Sequence, residues 1–192
     1  MTVSNMREAV RPLMGEKRYQ HSLAVEKEAV RLAEKYGVDS EKAAIAGILH
    51  DCRKEMPFEQ ALQIVRQSDI MTEIIFEEQP QLIHGFSASL TLGEFGVTDS
   101  DIIHAVRYHT VARRGMSPLE MVVYLADLTA EGRDYPDVLE MRRAANQSLQ
   151  AGMAYALKFT LGKLLRLSKP ICRETWEAYN YYCTAPKKEE KI

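Results

Sequence analysis

Cysteine is scarce in the 192 residues: only Cys52, Cys172 and Cys183 occur, and no two of them stand in CxxC spacing. That argues against a disulfide framework and a thiolate-rich metal site, and it suits a reducing cytoplasm. A basic excess is also missing. The 25 lysines and arginines stand against 27 aspartates and glutamates, for a formal net charge of -2. Such a chain has no strong positive field to set against the phosphates of a duplex, so nucleic acid is not the expected partner. Small anions remain possible, because a local cluster of arginines suffices for them. No run approaches the roughly 20 apolar residues of a membrane span. The opening stretch "MTVSNMREAVRPLMGEKRYQH" lacks the apolar core of a signal peptide. Alternating strand patterns and internal repeats are absent too, which leaves a cytoplasmic protein with no membrane role as the expectation.

What the sequence does contain is helix. "HSLAVEKEAVRLAEKYGV" carries apolar residues at helical spacing and stops at Gly37, a C-cap residue. "DSEKAAIAGILHDCRKEM" opens on an Asp/Ser cap signal and is expected to run as helix up to Pro57. "PFEQALQIVRQS", "HGFSASLTLGEFG", "TDSDIIHAVRYHT", "SPLEMVVYLADLTAEG", "YPDVLEMRRAANQSLQAGMAYALKFTLGKLLRLS" and "ICRETWEAYNYYC" follow, each set off by Gly, Pro, Ser or Asp. The expectation is one all-α domain over 1–192, a bundle of roughly eight helices with its core at about 18–180 and a frayed tail at 185–192. The stripe in "MAYALKFTLGKLLRL" fits the core or, less commonly, a homodimer face.

Within these helices, polar residues sit where apolar ones belong. Stepping from His21 by three or four gives Val25, Ala29 and Leu32, so this histidine faces inward. His50 and Asp51 lie in the apolar run "AIAGILHDCRK", with Ala43, Ala46 and Gly47 above them, small residues read as leaving room for an approaching group. Asp127 is in line with Leu119, Val123 and Ala130. His84 has Ala88 and Leu92 at helical spacing, and His109 lies below Ala105 and Val106, whereas His104 neighbours Asp101, Ser100 and Tyr108 and reads as outer-face. Taken singly, an inward histidine is a hydrogen-bonded core residue and an inward aspartate half of an ion pair. Four such histidines and two such aspartates in one small core would each need a separate partner. A shared metal satisfies them together, and imidazole with carboxylate suits iron, manganese, zinc or nickel.

The order His21 … His50-Asp51 … Asp127 resembles the H…HD…D signature of the HD-domain metal-dependent phosphohydrolases. The phrases "RYQHSLAV", "AAIAGILHDCRKEMP", "LIHGFSA", "AVRYHT", "MSPLEMVVYLADLTAEGRDYP" and "TWEAYN" are similar to the YqeK-type branch of that superfamily, the symmetrical diadenosine-tetraphosphate hydrolases, from about Arg18 to Asn180. The resemblance implies that His21, His50, Asp51 and Asp127 ligate a metal, with iron the native one and a second metal an open possibility. It implies that His84 and His109 line the phosphates or that second position, and that Arg18 and Arg133 contact the nucleotide. The stretch Pro170, Ile171, Cys172, Arg173, Glu174 and Thr175 falls where the family contacts the nucleotide. Here the chain departs from the family: "ICRET" stands for the usual "IHPDT", so Cys172 and Arg173 replace His and Pro, and "ADLTAEGRD" stands for "ADYIEPGRD". Neither change touches a metal-ligand position.

The reaction so implied splits diadenosine tetraphosphate into two ADP, with a metal-activated water attacking a central phosphorus. Lys54, three residues past Asp51, joins Arg18 and Arg133 as a candidate for the positive charge that phosphoryl transfer needs, although a solvated lysine at a helix end explains it as well. His84 and His109 are candidates for hydrogen-bonding the phosphates or protonating the departing ADP. Arg107, Arg113 and Arg114 read more simply as salt-bridge or surface residues, and Trp176, Tyr179, Tyr181 and Tyr182 as packing. Three rivals stand beside this reading: an HD nucleotidase or phosphodiesterase for a mono- or cyclic nucleotide, a nucleotide sensor without turnover, and a helical interaction module.

Overall fold

The computed structural model describes residues 2–68 and 75–184, so the tail at 185–192 lies outside the described residues. Eleven α-helices and no strand occur among them: α1 (Val3–Val10), α2 (Glu16–Tyr36), α3 (Ser40–Leu49), α4 (Phe58–Arg66), α5 (Ile75–Glu78), α6 (Ile83–Thr91), α7 (Ser100–Tyr108), α8 (Pro118–Thr129), α9 (Val138–Gln147), α10 (Leu149–Arg166) and α11 (Arg173–Cys183). The all-α class agrees with the sequence, and the count exceeds eight for local reasons. The long segment from Tyr135 is two helices. Ser148 turns extended (φ -164°, ψ 160°), and its hydroxyl caps α10 by accepting from the Ala151 N–H. At the N-terminus, Thr2 caps α1, a short helix that buries Met6 and Val10.

Start and stop signals act where expected. Gly37 ends α2 in the left-handed conformation (φ 67°). Asp39 and Asp99 accept the first free N–H groups of α3 and α7. Ser117 and Glu120 form a reciprocal capping box at α8. Glu120 is fully buried and also accepts two bonds from Arg113, at 2.8 and 2.9 Å, which ties the loop before α8 to its first turn.

The departure that matters most is at α3. It ends at Leu49, and residues 50–55 continue as tight turns, with Cys52 N–H donating to Leu49 O and Lys54 N–H to Asp51 O. His50 and Asp51 therefore sit just past a helix end rather than in mid-helix. The apolar pattern through Cys52 hid this, because those residues are buried whether helical or not.

α2, α3, α8, α7 and α10 enclose the main core, with Val25, Ala29 and Leu32 of α2 inside, as the helical spacing requires. In α10, Met153, Ala156, Leu157 and Leu161 are core, while Leu165 is exposed. A smaller cluster of Ala61, Leu62, Val65, Phe76, Ile83, Phe86, Val111 and Cys172 seats α4 and α6 beside the start of α11.

Gly47 corrects the reading of its small neighbours. It opens no route to His50; it lets α3 lie against the backbone of α2. A Cβ at this position would stand 2.8 Å from Glu26 Cα and 3.2 Å from Glu26 N. Gly47→Ala is predicted to destabilise the protein. Overpacking against backbone costs about 1–3 kcal/mol, more than the roughly 1 kcal/mol alanine gains inside a helix. A lower urea midpoint at unchanged m-value checks this.

Candidate metal centre

Five chain segments deliver the inward polar residues to one place. His21 comes from the second turn of α2, His50 and Asp51 from the turn after α3, His84 from the first turn of α6, His109 from the C-terminal end of α7, and Asp127 from the last turn of α8. Three of the four imidazoles are aimed by one local device. The Nδ1–H of His50 donates to the Gly47 carbonyl (2.7 Å), that of His84 to Gln81 (2.6 Å), and that of His109 to Val106 (2.6 Å), each three residues back. A carbonyl only accepts, so Nδ1 carries the proton and Nε2 presents a lone pair. At His50 and His109 the bond also satisfies a carbonyl left open where the helix ends. Gly85 lets α6 approach α7: a Cβ there would stand 2.9 Å from the Arg107 carbonyl and 3.3 Å from the His109 ring.

The Nε2 atoms converge on Asp51. Its Oδ2 lies 3.4 Å from His50 Nε2 and 4.0 Å from His21 Nε2, and its Oδ1 lies 2.9 Å from His84 Nε2 and 3.7 Å from His109 Nε2. Asp127 Oδ1 is 3.0 Å from His21 Nε2 and 3.8 Å from His50 Nε2. His21–His50–Asp51 and Asp51–His84–His109 each form a group able to hold a metal ion, and the two share Asp51 through different oxygens.

The local charge asks for a cation. Buried His50 Nε2 has no hydrogen-bond partner among the described residues. His84 Nε2 and His109 Nε2 face each other at 2.9 Å beside Asp51 Oδ1, so three acceptors meet with no hydrogen among neutral rings. Burial opposes ionisation of Asp51, yet His50, His109 and His84 hold its carboxyl well below the usual range. Burial likewise opposes that of Asp127, which His21, His50 and Arg133 keep ionised. Burial disfavours protonated His50, but Asp51 and Asp127 outweigh it and raise its pKa. For His84, burial, reinforced by His109 and Lys54, lowers the pKa to about 4, so a proton does not fill the gap at neutral pH. Mixed imidazole and carboxylate donors fit a transition metal. Cys52 adds no thiolate, since burial pushes its thiol up to about 12.

The HD-domain family model matches residues 18–132, the interval that holds His21, His50, Asp51, His84, His109 and Asp127. The chain belongs to the HD-domain family. It is 37% identical over 173 residues to a Bacillus subtilis protein named symmetrical bis(5'-nucleosyl)-tetraphosphatase, covering 90% of this chain and 92% of that one. To the Staphylococcus aureus protein of the same name it is 32% identical, with 95% of each chain covered. Among solved structures it resembles an HD superfamily hydrolase of Clostridium acetobutylicum described as involved in NAD metabolism: TM-score 0.91, 32% identity, 96% of this chain and 98% of that one.

Three cations rim the HD cluster. Arg18 Nη1 donates to Asp51 Oδ2 at 2.7 Å. Arg133 donates from Nη2 to the Asp127 carboxylate and from Nε to the Asp127 carbonyl (2.7 Å), and its Nη2 stands 3.3 Å from His21 Nε2. Lys54 Nζ lies 3.2 Å from His84 Nδ1 and 3.4 Å from Nε2, half-buried rather than solvated, and its pKa is lowered by burial. His104 tilts on Tyr108 away from the cluster, Arg107 donates to Ser89, and Arg113 pairs with Glu120.

Beside the cluster lies a cavity of about 380 Å³, whose wall includes Thr110 and Leu128, the residues after His109 and Asp127. Of the stretch Pro170–Thr175, Cys172 and Thr175 line it. The Thr175 hydroxyl donates to the Val111 carbonyl at 2.7 Å and lies 2.9 Å from Cys172 Sγ. Pro170 offers its carbonyl to Gln79 Nε2 (2.5 Å), Ile171 and Glu174 are half-buried, and Arg173 is exposed and paired with Glu177. Sequence reasoning missed Gln81, Leu82, Phe159 and Lys163 of this cavity, which four distant segments contribute. The exposed Trp176 stacks on Tyr179 and is not among the lining residues.

In metal-free protein the His84 imidazole titrates at about 4 when folded against an ordinary 6.5, so between those values the unfolded chain binds more protons. Stability therefore falls as the pH drops through that window, by on the order of 3 kcal/mol from this residue. His84→Gln flattens the slope. Urea melts of chelator-treated protein near neutrality and near pH 5 check it, and equal slopes in the two proteins contradict it.

Proposed function

We propose that this HD domain is a metal-dependent phosphohydrolase that splits diadenosine tetraphosphate into two ADP. The observation that carries the proposal is the set of imidazole Nε2 atoms gathered on the Asp51 carboxylate, with His50 Nε2 buried and unpartnered. It stands in a chain whose close relatives bear that activity's name. His21, His50, Asp51 and Asp127 hold the metal. Iron is the native metal we propose, in keeping with imidazole and carboxylate donors and no thiolate. When bound, the metal supplies an activated water at neutral pH and Lewis acidity toward a phosphoryl oxygen.

The protein's own groups do the rest. Arg18, Lys54 and Arg133 place three positive charges around the carboxylates, where they bind and orient the polyphosphate. His84 and His109 stand on the Oδ1 side of Asp51, placed to contact the phosphates of the departing ADP or to hold a second metal. The cavity beside Thr110 and Leu128 takes one nucleoside, with Cys172 and Thr175 in its wall. We further propose a cytoplasmic protein, on the strength of its three free cysteines. Among the described residues no helix is long and apolar enough to cross a membrane.

Anion-exchange analysis of the products from anaerobically purified protein, with metal assayed in the same sample, tests this. ADP as sole product, lost on chelation and restored by iron or manganese, is the expected result. ATP with AMP contradicts symmetrical cleavage. Asp51→Ala is predicted to lose both bound metal and turnover while keeping its far-ultraviolet helicity. Lys54→Ala is predicted to lose about a hundredfold in kcat/KM, the scale of removing one preorganised charge-stabilising donor.

A further inference from the structure

A symmetrical substrate cut at its centre has a nucleoside diphosphate on each side of the cut, so the ligand cluster must have room on two flanks. The 380 Å³ cavity supplies one. Another recess of about 280 Å³, between Asp137 and Arg166, includes neither a cluster residue nor a chain neighbour of one. Among the described residues there is also a groove of about 450 Å³, formed where α2, the end of α8 and α9 meet.

Two observations tie this groove to the site. Arg133 belongs to its wall and also bonds the Asp127 carboxylate and stands beside His21, so the groove begins at the cluster. Asp127 is followed by Leu128, which lines the cavity, and then by Thr129, which lines the groove. Successive helical residues diverge by about 100°, so the two recesses open on different flanks of one helical turn. The groove wall is also built rather than loose. Arg31 grips Glu28 by two bonds (2.7 and 2.8 Å) and reaches Asn146 Oδ1 at 3.0 Å, while Thr129 Oγ1 lies 3.0 Å from Glu28. Arg142 fixes the turn after α8 by donating to the carbonyls of Thr129 and Ala130, both at 2.9 Å.

We infer that this groove is the binding site for the second nucleoside diphosphate half of the substrate. Arg133 meets its phosphates at the inner end, and Glu28 with Asn146 offers the acceptors and donors that hydroxyls of a ribose require. The two arms then differ in character, one lined largely by Leu82, Leu128, Phe159 and Leu164, the other almost wholly polar, and together they hold a symmetrical molecule asymmetrically. The inference rests on the hydrolase reading, and its test separates the two.

Metal-loaded protein is assayed on diadenosine tetraphosphate, which has two nucleoside ends, and on adenosine 5'-tetraphosphate, which has one. Asn146→Trp, at an exposed position, fills the groove, and Arg31→Ala removes part of its wall. The ratio of kcat/KM for the two-ended over the one-ended substrate is expected to fall about tenfold in Asn146→Trp and in the same direction in Arg31→Ala, mainly through KM. Calorimetry with ADP is expected to count about two sites per chain in the unsubstituted protein and about one in Asn146→Trp. Turnover of the two-ended substrate with the ratio unchanged in both variants overturns the second arm and leaves the hydrolase reading standing. No turnover of that substrate by the unsubstituted protein overturns the hydrolase reading itself.

Discussion

The site depends on one short hydrogen bond made three times. An imidazole donates its Nδ1–H to the carbonyl three residues behind it, at His50, His84 and His109. Each bond sets the tautomer, orients the ring and leaves Nε2 as a lone pair in the interior. Left alone, such atoms are costly to bury. Brought together around Asp51, they make a field in which a cation is favoured, which the depressed carboxyl of Asp51 and the raised pKa of His50 both express.

The rest of the fold can be read as what that arrangement requires. α3 stops at Leu49, and the turn that follows lets His50 Nδ1 take the Gly47 carbonyl while Asp51 points toward the rings from α6 and α7. Gly47 and Gly85 then bring helices into backbone contact, α3 onto α2 and α6 onto α7, so that residues far apart in sequence meet within 4 Å. Cations close the shell from outside. Arg18 and Arg133 neutralise the carboxylates at their solvent side, and Lys54 stands over His84, so the same charges lie ready for a polyanionic substrate.

Helical spacing made much of this legible. Val25, Ala29 and Leu32 point His21 inward, and Leu119, Val123 and Ala130 do the same for Asp127, because burial of one helix face leaves a period of 3.6 in the residues themselves. The failures have equally plain causes. The end of α3 was hidden since the turn after it is as buried as the helix. The break at Ser148 was hidden since serine is tolerated in helices and the apolar stripe resumes after it. The missing Cβ of Gly47 serves a neighbouring backbone rather than an approaching ligand, a long-range contact that no local pattern records. Apart from Cys172, Thr175 and Arg133, the walls of the cavity and the groove are not legible for the same reason: they are assembled from segments as distant as Glu28 and Asn146, or Gln81 and Thr175.

Anomalous diffraction at the iron edge, from crystals of anaerobically purified protein, tests the central claim most directly. The account predicts a peak bonded to Nε2 of His21 and His50 and to carboxylate oxygens of Asp51 and Asp127, at about 2.0–2.2 Å as for such donors on a transition metal, with the Nδ1 atoms of His50, His84 and His109 still donating to Gly47, Gln81 and Val106. A metal bonded through Nδ1 of any of these three, or the same protein carrying its metal away from Asp51, would contradict it.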